Sequence, residues 1–345
     1  MTRPTAPHIL DVKLCMLGFG SVGRTFLAML RDTEERLARE HGLRFLICGI
    51  STRHSGFLDA TGMTAGDLLG IVHVGRDDLC GPAVPAEELI ETCGADALIE
   101  ATVLTPGGQP AAEHIEAAFR HGMDVVTVNK GPVAWHFDHL RRKAERNGRR
   151  WRFEGTVADG MPVFDLVENC LRSCRIHGFE GILNATTNFI LEALGDGRSF
   201  DDAVAHAQRE GFAEADPSHD IDGLDAACKV ACLANVVLGA AITPDDVPRD
   251  SVRDVTPEQV TAARAAGRRL CVVAGGRLDD DGVHTGVRLT ELPLDHPLTT
   301  IHGSALGLIL HTDLMGDVFT AELHGEVQQT AYAVLADLLA LYGRH

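Results

Sequence analysis

Large rings, surplus positive charge, long apolar runs and paired cysteines are all scarce in this chain, and each shortage excludes something. Aromatic residues make up 5% of its 345 positions, so its core must come from close packing of helices on strands rather than from stacked rings. Lys and Arg number 31 against 49 Asp and Glu, a net charge of −18. Such a chain offers no basic surface to displace counterions from nucleic acid or to dock on an anionic membrane. No apolar run approaches the ~20 residues of a membrane span. The polar, proline-containing Met1–His8 stretch has no apolar core of a secretion signal. Nine cysteines are present, but without a C-x-x-C pair, and Cys170 and Cys174 have no histidine at zinc-site spacing. Cys15, Cys48 and Cys271 lie in strand-like runs, and Cys228 and Cys232 lie in an apolar helix. Reduced thiols in a cytoplasmic protein are the expectation.

What is present is an alternation. KLCML at 13–17, FLICGI at 45–50, ALIEA at 97–101 and DVVTV at 124–128 are short apolar runs. The helix-like segments 21–41, 111–121 and 134–147 lie between or after them. This order predicts parallel βαβ units and a Rossmann-type doubly wound parallel sheet in an α/β fold. Beyond Trp151 the pattern becomes mixed. Helices are expected at 163–171, 187–194, 200–210 and 226–238, and strands at 178–183, 271–275, 286–291 and 303–311. A helix over 329–341 closes the chain. The expected division is a dinucleotide-binding domain at 1–152 with 326–345, and an α+β catalytic and dimerisation domain at 153–325.

Gly18-Phe-Gly20-Ser21-Val22-Gly23 follows the first strand and opens a helix. In that order the first glycine makes the turn, the second lets a pyrophosphate approach the backbone, and the third permits close helix–strand packing. Thr102, just past the third apolar run, is a further candidate cofactor contact. The second strand ends Ser51-Thr52-Arg53-His54, with no carboxylate to hold a ribose 2′-hydroxyl. Arg53, helped by Ser51 and Thr52, suits a 2′-phosphate instead, so NADP(H) is expected, with NAD(H) possible.

The segment Gly211–Lys229 carries the other chemistry. Lys229 is the only charged residue between Ala226 and Leu238, and an unpartnered ammonium there is costly to desolvate. Asp225 stands one helical turn earlier on the same face. Glu214, Asp216, Asp220 and Asp222 crowd the loop before it. An ordinary solvated ion pair would fit the spacing, but the apolar surroundings and the density of carboxylates favour a substrate pocket.

Taken together, these motifs resemble the homoserine dehydrogenase family. The resemblance rests on LGFGSVG at 17–23, VTVNKGP at 126–132, FEGTVADGMP at 153–162, GILNATTNFI at 181–190 and the acidic segment 211–229. It implies reversible oxidation of L-homoserine to L-aspartate 4-semialdehyde with NAD(P)+, on the branch to threonine and methionine. It implies Lys229 as acid/base and Lys130 beside the nicotinamide and the reacting carbon. Glu214, Asp225 and Asp220 would hold substrate, and Gly211 would touch cofactor. It further implies a monovalent cation, Na+ or K+, at Glu154, Val157, Asp159 and Met161, and a homodimer. Thr186, Thr187 and Asn188 are candidates either for the pocket wall or for turn capping. Two departures stand out. Glu322–Ala331 replaces the family's glycine-rich stretch, and Asp159 replaces a small residue. The closing helix leaves no room for an ACT regulatory domain, so threonine inhibition through one is not expected. Two alternatives remain open at this point: a dehydrogenase for another amino-acid-like alcohol, and a non-catalytic dinucleotide sensor.

Overall fold

The computed structural model describes residues 9–72, 79 and 81–343. They form two compact units. One is built from the chain up to Pro132, Asp138–Thr156 and the segment from Val327. The other comprises Val133–Phe137 and Val157–Glu326.

The first unit runs β1 (Leu10–Leu17), α1 (Ser21–Arg36), β2 (Leu43–Ser51), β3 (Ser55–Met63), α2 (Ala65–Ile71), β4 (Gly81–Pro82), α3 (Ala86–Thr92), β5 (Ala97–Glu100), α4 (Ala111–Arg120), β6 (Asp124–Thr127), α5 (Lys130–Asn147) and β7 (Trp151–Arg152). The sheet order is β4-β3-β2-β1-β5-β6-β7. Strands β2, β1, β5, β6 and β7 pair in parallel. Every residue of β5 and β6 is buried, as central parallel strands must be when helices cover both faces. On one face Phe26, Leu27 and Leu30 of α1 share a core with Val334, Leu335, Leu338 and Leu341 of the C-terminal helix, Val327–Tyr342. On the other, Leu89, Ile115, Phe119 and Leu140 pack together. Each such aliphatic side chain, fully buried, contributes about 1.5–3 kcal/mol. The sheet is doubly wound, as the alternation predicts. It differs from the expectation at one edge, where β3 and β4 run antiparallel. SGFLDATGM in β3 is half exposed and holds two glycines, so its hydrophobic alternation is too weak to mark a strand.

The second unit contains β8 (Ile176–Ile182), α6 (Ala185–Gly195), α7 (Phe200–Arg209), α8 (Ser218–Ile221), α9 (Leu224–Val237), α10 (Pro257–Ala265), β9 (Arg268–Asp279), β10 (Gly282–Pro293), β11 (Leu306–Thr312) and β12 (Gly316–Glu322). Its sheet, in the order β10-β9-β8-β11-β12, is antiparallel throughout. Helices α6, α9 and α10 pack on β9, and α9 also reaches β10. Ile182, Cys271, Val273, Leu298 and Ile309 form a separate cluster. The helix expected over 163–171 is found at 164–170, its last five residues, Leu166–Cys170, being wound as a π-helix. Among the described residues no helix is long and apolar enough to cross a membrane.

Candidate active site

The glycine loop after β1 opens on a cavity of about 740 Å³ in the first unit. Gly18, Phe19, Gly20, Ser51–His54, Ala101–Val103 and His114 are among the residues lining it. The glycines there have three different tasks. Gly18 has φ +90°, and a Cβ would sit 2.3 Å from the carbonyl oxygen of Ala101. Gly20 faces open space, with nothing within 4 Å of an added Cβ, and it precedes α1 without any side-chain cap on that helix. The first N–H groups of α1 therefore lack a side-chain cap, the arrangement in which a helix start can receive an anion. Gly23 is buried, 3.2 Å (from its notional Cβ) from Met16 and Phe19. Ser21 is exposed and Val22 half-buried.

At the end of β2 the structure narrows the expected trio. The Ser51 hydroxyl donates to Val84 O at 2.5 Å. The Thr52 hydroxyl donates to Ser55 O at 3.0 Å and accepts the Ser55 N–H at 3.0 Å. Ser51 is thereby tied to the segment after β4 and Thr52 to its own turn, while Arg53 and His54 are exposed at the cavity.

Deeper in this unit lies a buried network that a reading of the sequence does not single out. The Glu100 carboxylate is fully buried and accepts hydrogen bonds from the Thr102 hydroxyl and the Thr127 hydroxyl. Asn129 donates to Thr102 Oγ1 at 3.3 Å and to Val103 O at 3.2 Å, while its Oδ1 accepts the Gly131 N–H at 2.9 Å. This caps α5 at the residue beside Lys130, which is half-buried. Thr102 is thus held from two sides at the cavity wall.

In the second unit the acidic segment folds as α8 and the start of α9. Lys229 Nζ donates to Leu183 O at 2.6 Å and pairs with Asp225 Oδ2 at 3.1 Å, both side chains being about 85% buried. Asn184 Nδ2 bridges two carboxylates, Asp220 Oδ1 at 2.8 Å and Asp225 Oδ2 at 3.0 Å. Desolvation, then the neighbouring charge of Asp225, raises the Asp220 carboxyl above its ordinary value. The hydrogen bond from Asn184 and the Lys229 charge oppose the rise. Two of the remaining acids serve the fold. Asp216 caps its own turn through Ser218, and Asp222 pairs with Arg253 and Ser251. Glu214 is exposed, and its backbone carbonyl accepts from Gln208. Gly211 adopts φ +81°.

The three polar candidates on α6 divide. Thr186 Oγ1 donates to Phe212 O at 2.7 Å, tying the acidic segment to the helix. Thr187 and Asn188 are structural. Thr187 bonds back to Asn184, and Asn188 joins Arg269 and the Ile301 and Gly303 carbonyls. Asn184 itself, the first of the run, was signalled only by its position before a helix, where Asn commonly caps.

Glu154, Val157 and Met161 are buried and Asp159 is half-buried. Asp159 holds a left-handed φ of 49°. Glu322 Oε2 accepts the Gly160 N–H at 3.1 Å, and burial together with the Asp159 charge pushes its carboxyl up to about 7.

Comparison with known proteins agrees with this architecture. The family model described as homoserine dehydrogenase matches residues 162–339, and the one for the homoserine dehydrogenase NAD-binding domain matches residues 18–154. The chain is 33% identical to a protein of Pseudomonas canavaninivorans named NAD(+)-dependent homoserine dehydrogenase, over 96% of each chain. It is 30% identical to the homoserine dehydrogenase of Methanocaldococcus jannaschii, over 95% of this chain and 98% of that one. The crystal structure of homoserine dehydrogenase from Thermoplasma acidophilum superposes with a TM-score of 0.83 at 27% identity, covering 96% of this chain and 99% of that one.

Proposed function

The chain belongs to the homoserine dehydrogenase family, and from that premise we propose that it interconverts L-homoserine and L-aspartate 4-semialdehyde with a nicotinamide dinucleotide, on the route to threonine and methionine. The convergence of Asp220 and Asp225 beside the Lys229 ammonium is the observation that carries this reading. An ammonium has three N–H donors. Leu183 O and Asp225 take two of them, and the third serves the substrate oxygen. In the reducing direction the Lys229 ammonium gives this third proton to the developing alkoxide and is left as the neutral amine; in the oxidising direction the neutral amine takes the hydroxyl proton and becomes the ammonium. Asp225 and Asp220, with Glu214, are proposed to receive the substrate's α-ammonium. Lys130 is proposed to stand beside the nicotinamide, which supplies the hydride exchange when bound.

Replacing Lys229 by Ala tests the reading. Turnover should fall by about 10²- to 10⁴-fold, the usual worth of a general acid/base, with dinucleotide affinity unchanged. Near-normal turnover in Lys229→Ala would defeat the assignment.

The finer proposals follow the residues. Arg53 supports NADP(H), because a guanidinium can chelate a 2′-phosphate. The name carried by the Pseudomonas relative keeps NAD(H) as the second reading. A cation at the segment containing Glu154, Val157, Asp159 and Met161 is supported by the donor chemistry there. Buried backbone beside the mutually repelling Asp159 and Glu322 carboxylates suits a hard cation. Homodimer assembly is proposed on the resemblance. Leu314, Met315 and Phe319 on the β11–β12 hairpin are exposed and offer apolar surface for it.

A further inference from the structure

We propose that Asn184 is the positioning residue of the substrate pocket, fixing Asp220 and Asp225 as a pair in which both carboxylates face one amide nitrogen. The inference rests on the functional reading above, since it concerns the groups assigned to the substrate's ammonium. The residue is 6% exposed and the four hydrogen-bonding directions of its amide are determined from both ends. Oδ1 accepts the Thr187 N–H at 2.9 Å and the Thr187 hydroxyl at 3.1 Å. Nδ2 then presents one hydrogen to Asp220 at 2.8 Å and one to Asp225 at 3.0 Å. The reverse orientation would aim the amide oxygen at two carboxylates and its NH2 at an N–H donor, so the helix cap on α6 fixes the amide for its second task.

That second task is electrostatic. Two aspartates on successive elements, α8 and α9, repel each other, and Asp220 feels the charge of Asp225. Among the described residues Lys229 on α9 faces the two carboxylates as the opposite charge, and Asn184 faces them as a neutral donor. Lys229 is hydrogen-bonded to Asp225 Oδ2, the same oxygen that Asn184 contacts. The amide therefore determines where the oxygen holding the acid/base nitrogen sits, without itself touching reacting atoms.

Two variants separate this role from capping. Asn184→Ser keeps an N-cap oxygen for the Thr187 N–H but is too short to reach either carboxylate. Asn184→Asp also keeps the cap and replaces the donor by a third carboxylate. For Asn184→Ser the expected result is an unchanged dinucleotide Kd and a melting temperature close to that of the wild type. The homoserine KM should rise by about tenfold or more, the usual worth of hydrogen bonds to charged groups. Carboxylates that lose N–H donors have raised pKa values, so the acid limb of kcat/KM should move to higher pH. Asn184→Asp should move it further still. A folded Asn184→Ser with wild-type KM and pH profile would overturn the proposal, as would losses in both variants that merely track a fall in folded fraction. A wild-type control inert toward homoserine would overturn the functional reading and this inference together, whereas an active wild type beside an unperturbed Asn184→Ser overturns the inference alone.

Discussion

Asp220 is raised first by desolvation and second by the charge of Asp225, while Asn184 and Lys229 pull it down. A carboxyl raised in the folded state binds a proton there that the unfolded chain releases. Its contribution to stability is therefore complete below the unfolded aspartate value of about 3.9 and is lost as pH rises through the folded value. Asp220→Asn should remove this component, so urea unfolding of that variant should show a smaller loss of stability with rising pH than the wild type. An unchanged pH slope would mean that the carboxyl is not raised. At this scale the sequence was informative where partners are close together. Lys229 and Asp225 are one helical turn apart, and their ion pair is legible from spacing alone. The Asn184–Asp225 bond joins residues 41 positions apart, and no local pattern announces it. The hydroxyls of Ser51 and Thr52 show a second limit of local reading. Their types suit a phosphate, but the partners they take in the fold, Val84 O across the unit and Ser55 O in the β2–β3 turn, are not announced by type.

Among the elements, the turn from β1 into α1 makes a sharper distinction than its motif does. Gly18→Ala would force a side chain into the Ala101 carbonyl at a positive φ, whereas Gly20→Ala meets no protein atom within 4 Å. Gly18→Ala should therefore lower the melting temperature, backbone strain alone costing about 1–3 kcal/mol. Gly20→Ala should fold normally and weaken dinucleotide binding, because its methyl occupies the space a diphosphate needs. Thermal melts beside dinucleotide titrations distinguish the two, and a Gly20→Ala protein with wild-type affinity would place the diphosphate elsewhere. The parallel strands and long helices were legible because their apolar runs are continuous or strongly periodic. Helix α10 escapes a sequence reading despite its Thr256–Gln259 capping box, since Val260 and Ala263 alone form its buried stripe. Strand β12 has no buried residue at all and is held by its pairing with β11.

For the whole molecule, composition set limits rather than an identity. The acidic net charge argued against nucleic acid and anionic membranes, while the order of the motifs pointed to a dinucleotide fold joined to an amino-acid pocket. A cavity lies under the glycine turn in one unit, and the Asp220–Asp225–Lys229 group lies in the other. The most direct measurement is a steady-state assay of the purified protein with L-aspartate 4-semialdehyde, following the loss of NADPH and of NADH in separate reactions. The expected result is saturable oxidation of reduced dinucleotide that depends on the aldehyde, with kcat/KM higher for NADPH and homoserine as the product. If neither dinucleotide is consumed while both still bind, the protein is a sensor rather than a dehydrogenase, and the role given to Lys229 is wrong.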